Sequence, residues 1–306
     1  MTAFLYGLTV LIWGTTWIAI KMQLGVVAIE ASIIYRFTLA GLTLFLILLI
    51  SRRLKPIAWR DQPFILLQGL CLFCFNFICF YTATQYIVSG LTAVIFSTAT
   101  ILNVVNSYIF HRRTPTMSTL IGAILGVMGV VGLFWDGIIG KEMGTDMLIG
   151  LGLSVLGTYF FSLGNLVSAR NQKHGITVAS ANAHAMLYGS IVLALIAAGK
   201  GVTFSFDTSL PYVGGLLFLA IPGSVIAFTT YLWVVGRLGP EKAAYMTVLF
   251  PVVALSISTV WEGYHWAPSA IIGLLAILAG NILVLTNWDK VLRARKKPAK
   301  TSTETA

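Results

Sequence analysis

The chain has 306 residues, of which 58% are hydrophobic and only 10% are charged, and its mean hydropathy is +0.89. A soluble domain carries about 25% charged residues, so this composition excludes an ordinary soluble enzyme. The net charge of +10 does not indicate a nucleic-acid partner, because the basic residues lie between apolar segments and not along one soluble face.

Ten apolar segments follow one another along the chain, each bounded by charged or turn-forming residues. They cover residues 4–21, 29–50, 63–86, 89–110, 117–135, 147–169, 177–199, 211–236, 242–261 and 268–287. A segment in lipid has to satisfy its own backbone hydrogen bonds, so we predict an all-α integral membrane protein with ten transmembrane helices. We interpret the first segment as a span and not a signal peptide, because no basic stretch precedes Phe4 and no small-residue cleavage site follows.

The lysines and arginines fall almost entirely on one side of this predicted topology. Sixteen lie in alternate connections and in the C-terminal tail, whereas the opposite side has only Lys21, Lys141 and Lys200. The sixteen are Arg52, Arg53, Lys55, Arg60, Arg112, Arg113, Arg170, Lys173, Arg237, Lys242, Lys290, Arg293, Arg295, Lys296, Lys297 and Lys300. Positive charge in short loops stays in the cytoplasm, so we expect both termini there. The tail 289–306 is basic and then rich in Ser and Thr, which predicts disorder.

The chain also resembles itself when it is shifted by 151 residues. Gly122 then coincides with Gly273, and Gly129 coincides with Gly280. Each half has five spans, and an odd number of spans places the second half in the inverted orientation. Inverted repeats are typical of secondary transporters, which bind substrate near the midplane between the halves. We therefore predict two repeats, at residues 1–138 and 146–288.

Three short motifs resemble those of a known family. They are Leu11-Ile12-Trp13-Gly14-Thr15-Thr16-Trp17 with Lys21, Arg36-Phe37 with Ala40, and the spaced residues Pro251, Glu262 and Gly273. The family is the EamA-type transporters of the drug/metabolite transporter superfamily, and the resemblance covers residues 3–287. The resemblance implies two five-helix bundles around a central cavity. It also implies a protein that exports amino acids or other small metabolites from bacteria. The first half departs from the pattern, with Thr100 and His111 at the positions of Pro251 and Glu262.

Polar side chains recur on one face of eight spans; in the third span, for example, the face contains Gln68, Cys71, Cys79, Thr82 and Tyr86. A polar stripe on a helix in lipid has to face protein or water, which predicts a shared hydrated cavity. The candidate substrate-binding residues are Trp13, Thr16, Arg36, Gln68, Asn103, Thr158, Asn165, His184, Tyr188, Tyr231 and Tyr245. Alternatively, the small polar groups hydrogen-bond to neighbouring helices, at ~0.6 kcal/mol apiece.

Arg36 is the basic residue that falls inside a predicted span, where a charge costs ~2.5–3.5 kcal/mol near the helix centre. Its planar, two-pronged guanidinium suits a substrate carboxylate. Alternatively, the side chain reaches outward to the membrane surface. Both interpretations stay open at the level of sequence.

Pro222 and Pro251 fall inside two spans of the second half, where proline removes a backbone hydrogen bond and bends the helix. They are candidate hinges for alternating access, or static kinks. His184 is the best candidate for a proton relay, with a structural histidine as the alternative. Proton coupling and facilitated exchange therefore both stay open.

Enzyme chemistry has no support in the sequence. It has no His-Glu-x-x-His pair and no Gly-x-Ser-x-Gly motif, and we interpret Cys71, Cys74 and Cys79 as small apolar residues. We therefore expect no enzyme activity, no cofactor and no metal site. Glycine faces on the fifth and tenth spans predict close helix packing, within a monomer or in a homodimer.

The sequence thus predicts an inner-membrane secondary transporter that exports small metabolites such as amino acids. Its expected partners are a small-molecule substrate and the lipid bilayer. One alternative is efflux of drugs or cations, which favours a buried carboxylate that the spans do not contain. A receptor or a membrane enzyme would explain the inverted halves less well.

Overall fold

The computed structural model describes residues 2–112, 114, 116–135, 144–227, 230 and 246–285, and all regular structure in these residues is helical. Six helices are long and apolar enough to cross a membrane, and four shorter apolar helices accompany them. The protein is therefore a multi-pass membrane protein, and its described part is helical. Tyr231, Tyr245 and the tail 289–306 lie outside the described residues.

The described part of the first half contains seven α-helices, and the outer limits of the five predicted spans agree with theirs to within two residues. They are α1 (Thr2–Met22), α2 (Ile29–Ile50), α3 (Gln62–Gly69), α4 (Asn76–Tyr86), α5 (Ser89–Phe96), α6 (Ala99–His111) and α7 (Met117–Leu133). A short 3-10 turn, Trp59–Asp61, precedes α3, and a π-helical turn, Leu70–Phe75, joins α3 to α4. The third predicted span is thus one continuous helical rod with a local change of pitch.

The described part of the second half has the same character. Its helices are α8 (Thr145–Lys173), α9 (Val178–Gly199), α10 (Leu210–Ala220), α11 (Met246–Trp261) and α12 (Pro268–Leu285). A π-helical turn, Ile221–Ile226, continues α10. Pro222 lies in that turn and Pro251 lies inside α11. Proline lacks the N–H that donates a regular helical hydrogen bond, so Pro222 disturbs the regular α-helical pattern in its turn. The other π-helical turn, Leu70–Phe75, contains no proline, so proline is not required for this geometry.

The fourth predicted span differs from a single helix, because it breaks between α5 and α6. The hydroxyl of Ser97 donates to Val94 O at 2.7 Å, and the hydroxyl of Thr98 donates to Ile95 O at 2.6 Å. The backbone N–H groups of Ser97 and Thr98 also bond to these two carbonyls, at 3.1 and 3.0 Å, so the chain makes a tight 3-10-type turn between α5 and α6. Each hydroxyl adds a second donor to its carbonyl at this break.

Helices α7 and α12 pack against each other through glycine. A Cβ added to Gly122 would lie 2.5 Å from Gly280 O, and one added to Gly129 would lie 2.5 Å from Gly273 O. Only glycine permits such a close approach of two backbones. The predicted small-residue faces therefore meet within one chain, and this contact needs no second copy.

Glu262, directly after α11, connects that helix to the start of α5. Its carboxylate accepts hydrogen bonds from the Ser89 backbone N–H at 3.1 Å, the Ser89 hydroxyl at 2.6 Å and the Ser258 hydroxyl at 2.6 Å. Ser258 Oγ in turn accepts from the Gly90 N–H at 2.9 Å. An anionic acceptor from elsewhere in the chain thus caps the positive end of α5.

We expect Glu262→Gln to lower the free energy of unfolding by about 1–2 kcal/mol, because the neutral amide is a weaker partner for these donors. Thermal unfolding of the purified protein in detergent measures the change. The matched control is Glu30→Gln, whose carboxylate contacts the exposed Lys200 at 3.4 Å, since such surface ion pairs contribute about 0–1 kcal/mol. Equal melting temperatures for the two variants would contradict the capping role.

Candidate functional site

A cavity of about 90 Å³ lies where α1, α2, α4, α5, α8, α11 and both π-helical turns come together. It is lined by Trp13, Thr16, Trp17, Ile20, Arg36, Leu72, Asn76, Phe77, Phe80, Phe96, Phe161, Gly223 and Phe250. Seven of these thirteen are tryptophan or phenylalanine, so the walls are largely aromatic. One buried water needs about 10–15 Å³ of such volume, so the cavity has room for several.

Arg36 projects from α2 into this cavity and is only 3% exposed. Its guanidinium carbon lies 4.4 Å from the centre of the Phe77 ring and 4.9 Å from that of Phe37. The phenol of Tyr81 also interacts with it. Its Nε and Nη1 have no hydrogen-bond partner among the described residues. A buried cation is stabilised by an anionic partner, so these two donors are suited to bind an anionic group.

Asn76 is the second polar group of the cavity with unused hydrogen-bonding capacity. It is 1% exposed, and both Nδ2 and Oδ1 lack a partner within the described part of the chain. Sequence reasoning missed Asn76, because the polar face of the third span was extended from Gln68 at a constant 3.6 residues per turn. The π-helical turn before Asn76 changes that register. The available signal was that Asn76 is the one amide side chain between Gln68 and Gln85.

Trp13 and Thr16, two predicted site residues, line the same cavity as Arg36. Trp13 Nε1 donates to Gly223 O at 3.3 Å, and the Thr16 hydroxyl donates to Trp13 O at 2.7 Å. Trp17 packs edge-on against Phe80, with ring centres 5.3 Å apart. The structure therefore brings Trp13, Thr16 and Arg36 together, while their roles in substrate binding stay predictions.

Gln68 lies elsewhere, in a buried polar network that we define as Asp61, Gln68, Arg170, Asn171 and Asn182. Gln68 Nε2 donates to Asn182 Oδ1 at 2.8 Å, and Asn171 Nδ2 donates to Gln68 Oε1 at 2.9 Å. Arg170 Nη1 donates to Asp61 Oδ1 at 2.6 Å and to Asn171 Oδ1 at 3.2 Å. This polar network joins α3 and the residue before it to the end of α8 and the start of α9.

His184 and Tyr188 lie on α9 near this polar network and do not line the cavity. His184 Nδ1 is 2.8 Å from Ser180 O, and its ring packs against Phe45 with centres 5.4 Å apart. The Tyr188 hydroxyl donates to Gln62 Oε1 at 2.8 Å. Both side chains thus have structural partners, and their predicted functional roles stay predictions.

The remaining predicted site residues are also outside the cavity wall. Thr158 is fully buried on α8, and its hydroxyl donates to Ser154 O at 2.6 Å. Asn103 on α6 and Asn165 on α8 are half-buried. Of the two predicted hinges, Pro222 precedes the lining residue Gly223 and Pro251 follows the lining residue Phe250.

We expect Gln68→Leu to lower the free energy of unfolding by about 1–3 kcal/mol, because the buried amides of Asn171 and Asn182 each lose a partner. Substrate affinity should stay the same, since Gln68 does not line the cavity. Thermal unfolding and ligand titration separate the two effects, with the exposed Gln172→Leu as control. A variant with normal stability and weakened affinity would instead make Gln68 a substrate ligand.

Comparison with known proteins places these observations in a family. The model of the EamA-like transporter family matches residues 1–135 and 148–286. An uncharacterized transporter of Archaeoglobus fulgidus is 24% identical over 281 residues, which cover 91% of this chain and 96% of that protein. The inner membrane transporter YedA of Escherichia coli is 26% identical over 260 residues, or 81% of this chain and 79% of YedA.

Two further similarities extend the comparison. A protein of Streptantibioticus cattleyicolor named as a probable terminal-alkyne amino-acid exporter is 23% identical over 278 residues, covering 90% of this chain and 91% of its own length. A crystal structure superposes with a TM-score of 0.65 at 16% identity, over 97% of this chain and 99% of the other. That likeness concerns the fold alone. The match to the family model over both halves confirms the resemblance carried by the motifs, and the chain belongs to the EamA-like transporter family.

Proposed function

We propose that this transporter exports small metabolites that carry a carboxylate, amino acids among them, across the bacterial inner membrane. The observation that carries the proposal is the Arg36 guanidinium, buried in an aromatic cavity with Nε and Nη1 unpaired within the described residues. A substrate carboxylate supplies the missing anion in two-pronged geometry. The amino-acid part is supported by the Streptantibioticus cattleyicolor relative, which is named as a probable terminal-alkyne amino-acid exporter.

The proposal includes ten spans arranged as two inverted repeats, at residues 1–138 and 146–288. Six long and four shorter apolar helices support that number of spans. The two π-helical turns, Leu70–Phe75 and Ile221–Ile226, are separated by the same 151 residues that relate the two halves of the sequence. The same shift relates the two glycine contacts, because Gly122 corresponds to Gly273 and Gly129 corresponds to Gly280. The contact of Gly122 with Gly280 therefore corresponds to the contact of Gly273 with Gly129.

Alternating access in this arrangement requires two contacts to break in turn. The polar network of Asp61, Gln68, Arg170, Asn171 and Asn182 lies toward the side that the lysines and arginines assign to the cytoplasm. Glu262 and Ser89 meet at the other end of the helices. Each contact joins helices of the two proposed repeats, so each is a candidate gate. Both termini are cytoplasmic in this proposal.

Efflux of drugs or other cations is the second candidate function. The described residues that line the cavity include one cation, Arg36, and no carboxylate. A cationic substrate would therefore meet like charge in a site with largely aromatic walls, which is unfavourable. This charge distribution favours carboxylates over cations.

Counterflow in liposomes tests the proposal. The purified protein is reconstituted, loaded with an unlabelled amino acid and supplied outside with trace amounts of the same labelled compound. We expect accumulation of label for at least one class of carboxylate, and none in protein-free liposomes. A folded, reconstituted protein that moves no carboxylate but moves an organic cation would overturn it. Repeating the assay with an imposed pH gradient separates proton coupling from exchange.

A further inference from the structure

We infer that the cavity prefers an aromatic monocarboxylate that has a neutral amide in place of a free ammonium group, and that Asn76 recognises the amide. An N-acylated aromatic amino acid has this chemistry. The inference rests on the proposed function, because it concerns the same cavity. It goes further by naming the substrate class and a residue that determines specificity.

Charge balance provides the first step. Among the described residues, Arg36 is the one charged side chain that lines the cavity, and no carboxylate of these residues accompanies it. A monoanion neutralises Arg36, whereas a zwitterion brings in an ammonium group that has no counter-ion among these lining residues. Burying a charge without a partner is unfavourable in a site whose walls are largely aromatic. The cavity therefore discriminates against the free ammonium group of an ordinary amino acid.

Asn76 provides the second step. Its buried side chain offers one unused acceptor, Oδ1, and an unused donor group, Nδ2. Arg36 is a donor only, and the Thr16 hydroxyl already donates to Trp13 O, so neither offers both missing partners. A secondary amide supplies one N–H and one C=O at once. A buried amide left unpaired costs free energy, so a ligand that pairs it gains affinity over one that does not.

The aromatic walls provide the third step. Trp17 packs on Phe80 and on Phe96, with ring centres 5.3 and 5.4 Å apart, and Phe96 packs on Phe161 at 4.6 Å. Aromatic rings favour offset or edge-to-face contact with another ring. These walls suit the ring of the substrate, while Arg36 and Asn76 bind its two polar groups.

Calorimetric titration of the full-length protein in detergent tests the charge argument with three compounds that share one ring. They are N-acetylphenylalanine, phenylalanine and phenylalanine amide. We expect the dissociation constant of N-acetylphenylalanine to be at least about tenfold lower than that of phenylalanine, and no binding of the cationic amide. Equal or tighter binding of phenylalanine would overturn the inference. It would leave carboxylate export intact.

The Asn76→Leu variant tests the specificity residue, with 3-phenylpropionate as the control ligand because it lacks the amide. We expect affinity for N-acetylphenylalanine to fall about tenfold and affinity for 3-phenylpropionate to stay unchanged. Equal losses for both ligands, or no loss for either, would overturn the role of Asn76. Asn76→Ala repeats the test with a smaller side chain and guards against misfolding.

Counterflow of an aliphatic amino acid without binding of any aromatic acid refutes the inference alone, whereas absence of all carboxylate flux refutes the proposed function as well.

Discussion

Replacing Arg36 with glutamine is expected to abolish carboxylate transport and to weaken carboxylate binding by about 100-fold or more, because removing one partner of a buried ion pair costs about 3–5 kcal/mol. Arg36 is 3% exposed and its guanidinium lies on the cavity wall, so a carboxylate bound there has Arg36 as its charged partner among the described lining residues. Arg36→Lys keeps the charge but loses the planar two-pronged geometry, and we expect it to retain only weak binding. Counterflow in liposomes and calorimetric titration measure the two effects.

The Arg36 experiment has controls for folding and for charge. The Arg36→Gln protein should melt at the same temperature as the parent or higher, because the empty protein no longer buries a cation without an anionic partner. Arg53→Gln removes an exposed arginine outside the cavity and should leave transport unchanged. Normal flux through Arg36→Gln would refute the carboxylate role of Arg36.

A single methyl group at Gly273 is the second change with a large expected effect. The Cβ of Gly273→Ala would lie 2.5 Å from Gly129 O, 2.7 Å from Leu133 N and 2.9 Å from Gly132 C. These are backbone atoms of α7, so the clash can be relieved only by moving one helix away from the other. We expect a loss of about 3 kcal/mol or more in the free energy of unfolding. Thermal unfolding and size-exclusion chromatography in detergent record it.

The matched control for this change is Gly152→Ala on α8. The Cβ of that alanine would meet no atom within 4 Å, apart from its own helix and chain neighbours. Alanine is favoured over glycine inside a helix by about 1 kcal/mol, so this variant should be as stable as the parent or more so. If both alanine variants had the parent's stability, the close contact of α7 with α12 would contribute nothing to the fold.

Sequence reasoning predicted the part of the cavity that regular helices build. Trp13 and Thr16 lie on one face of α1, and Arg36 projects from α2, where the spacing of 3.6 residues per turn holds without interruption. Their convergence at one cavity therefore follows from periodicity and the cost of a charge in lipid. Composition, charge distribution and motifs were sufficient for the membrane class and the family.

Other features depend on tertiary contacts and local helix geometry, which the helical period of the sequence does not predict. The polar pattern predicts that Gln68 faces protein or water, but it cannot distinguish a substrate from the amides of Asn171 and Asn182 as the partner of Gln68. Asn76 was missed because a π-helical turn is not marked by composition. The break after α5 depends on a tight turn in which the N–H groups of Ser97 and Thr98 bond to carbonyls three residues earlier, and the helical period does not predict this turn.

The three cysteines of the chain, Cys71, Cys74 and Cys79, are all buried and at most 6% exposed. A charged thiol reagent dissolved in water therefore finds no ready target on the native protein. A cysteine introduced in place of Thr16, which lines the cavity and is itself only 8% exposed, would react with such a reagent when the cavity opens to water. Its labelling rate from each side of a sealed vesicle would then report which end of the cavity is open to water.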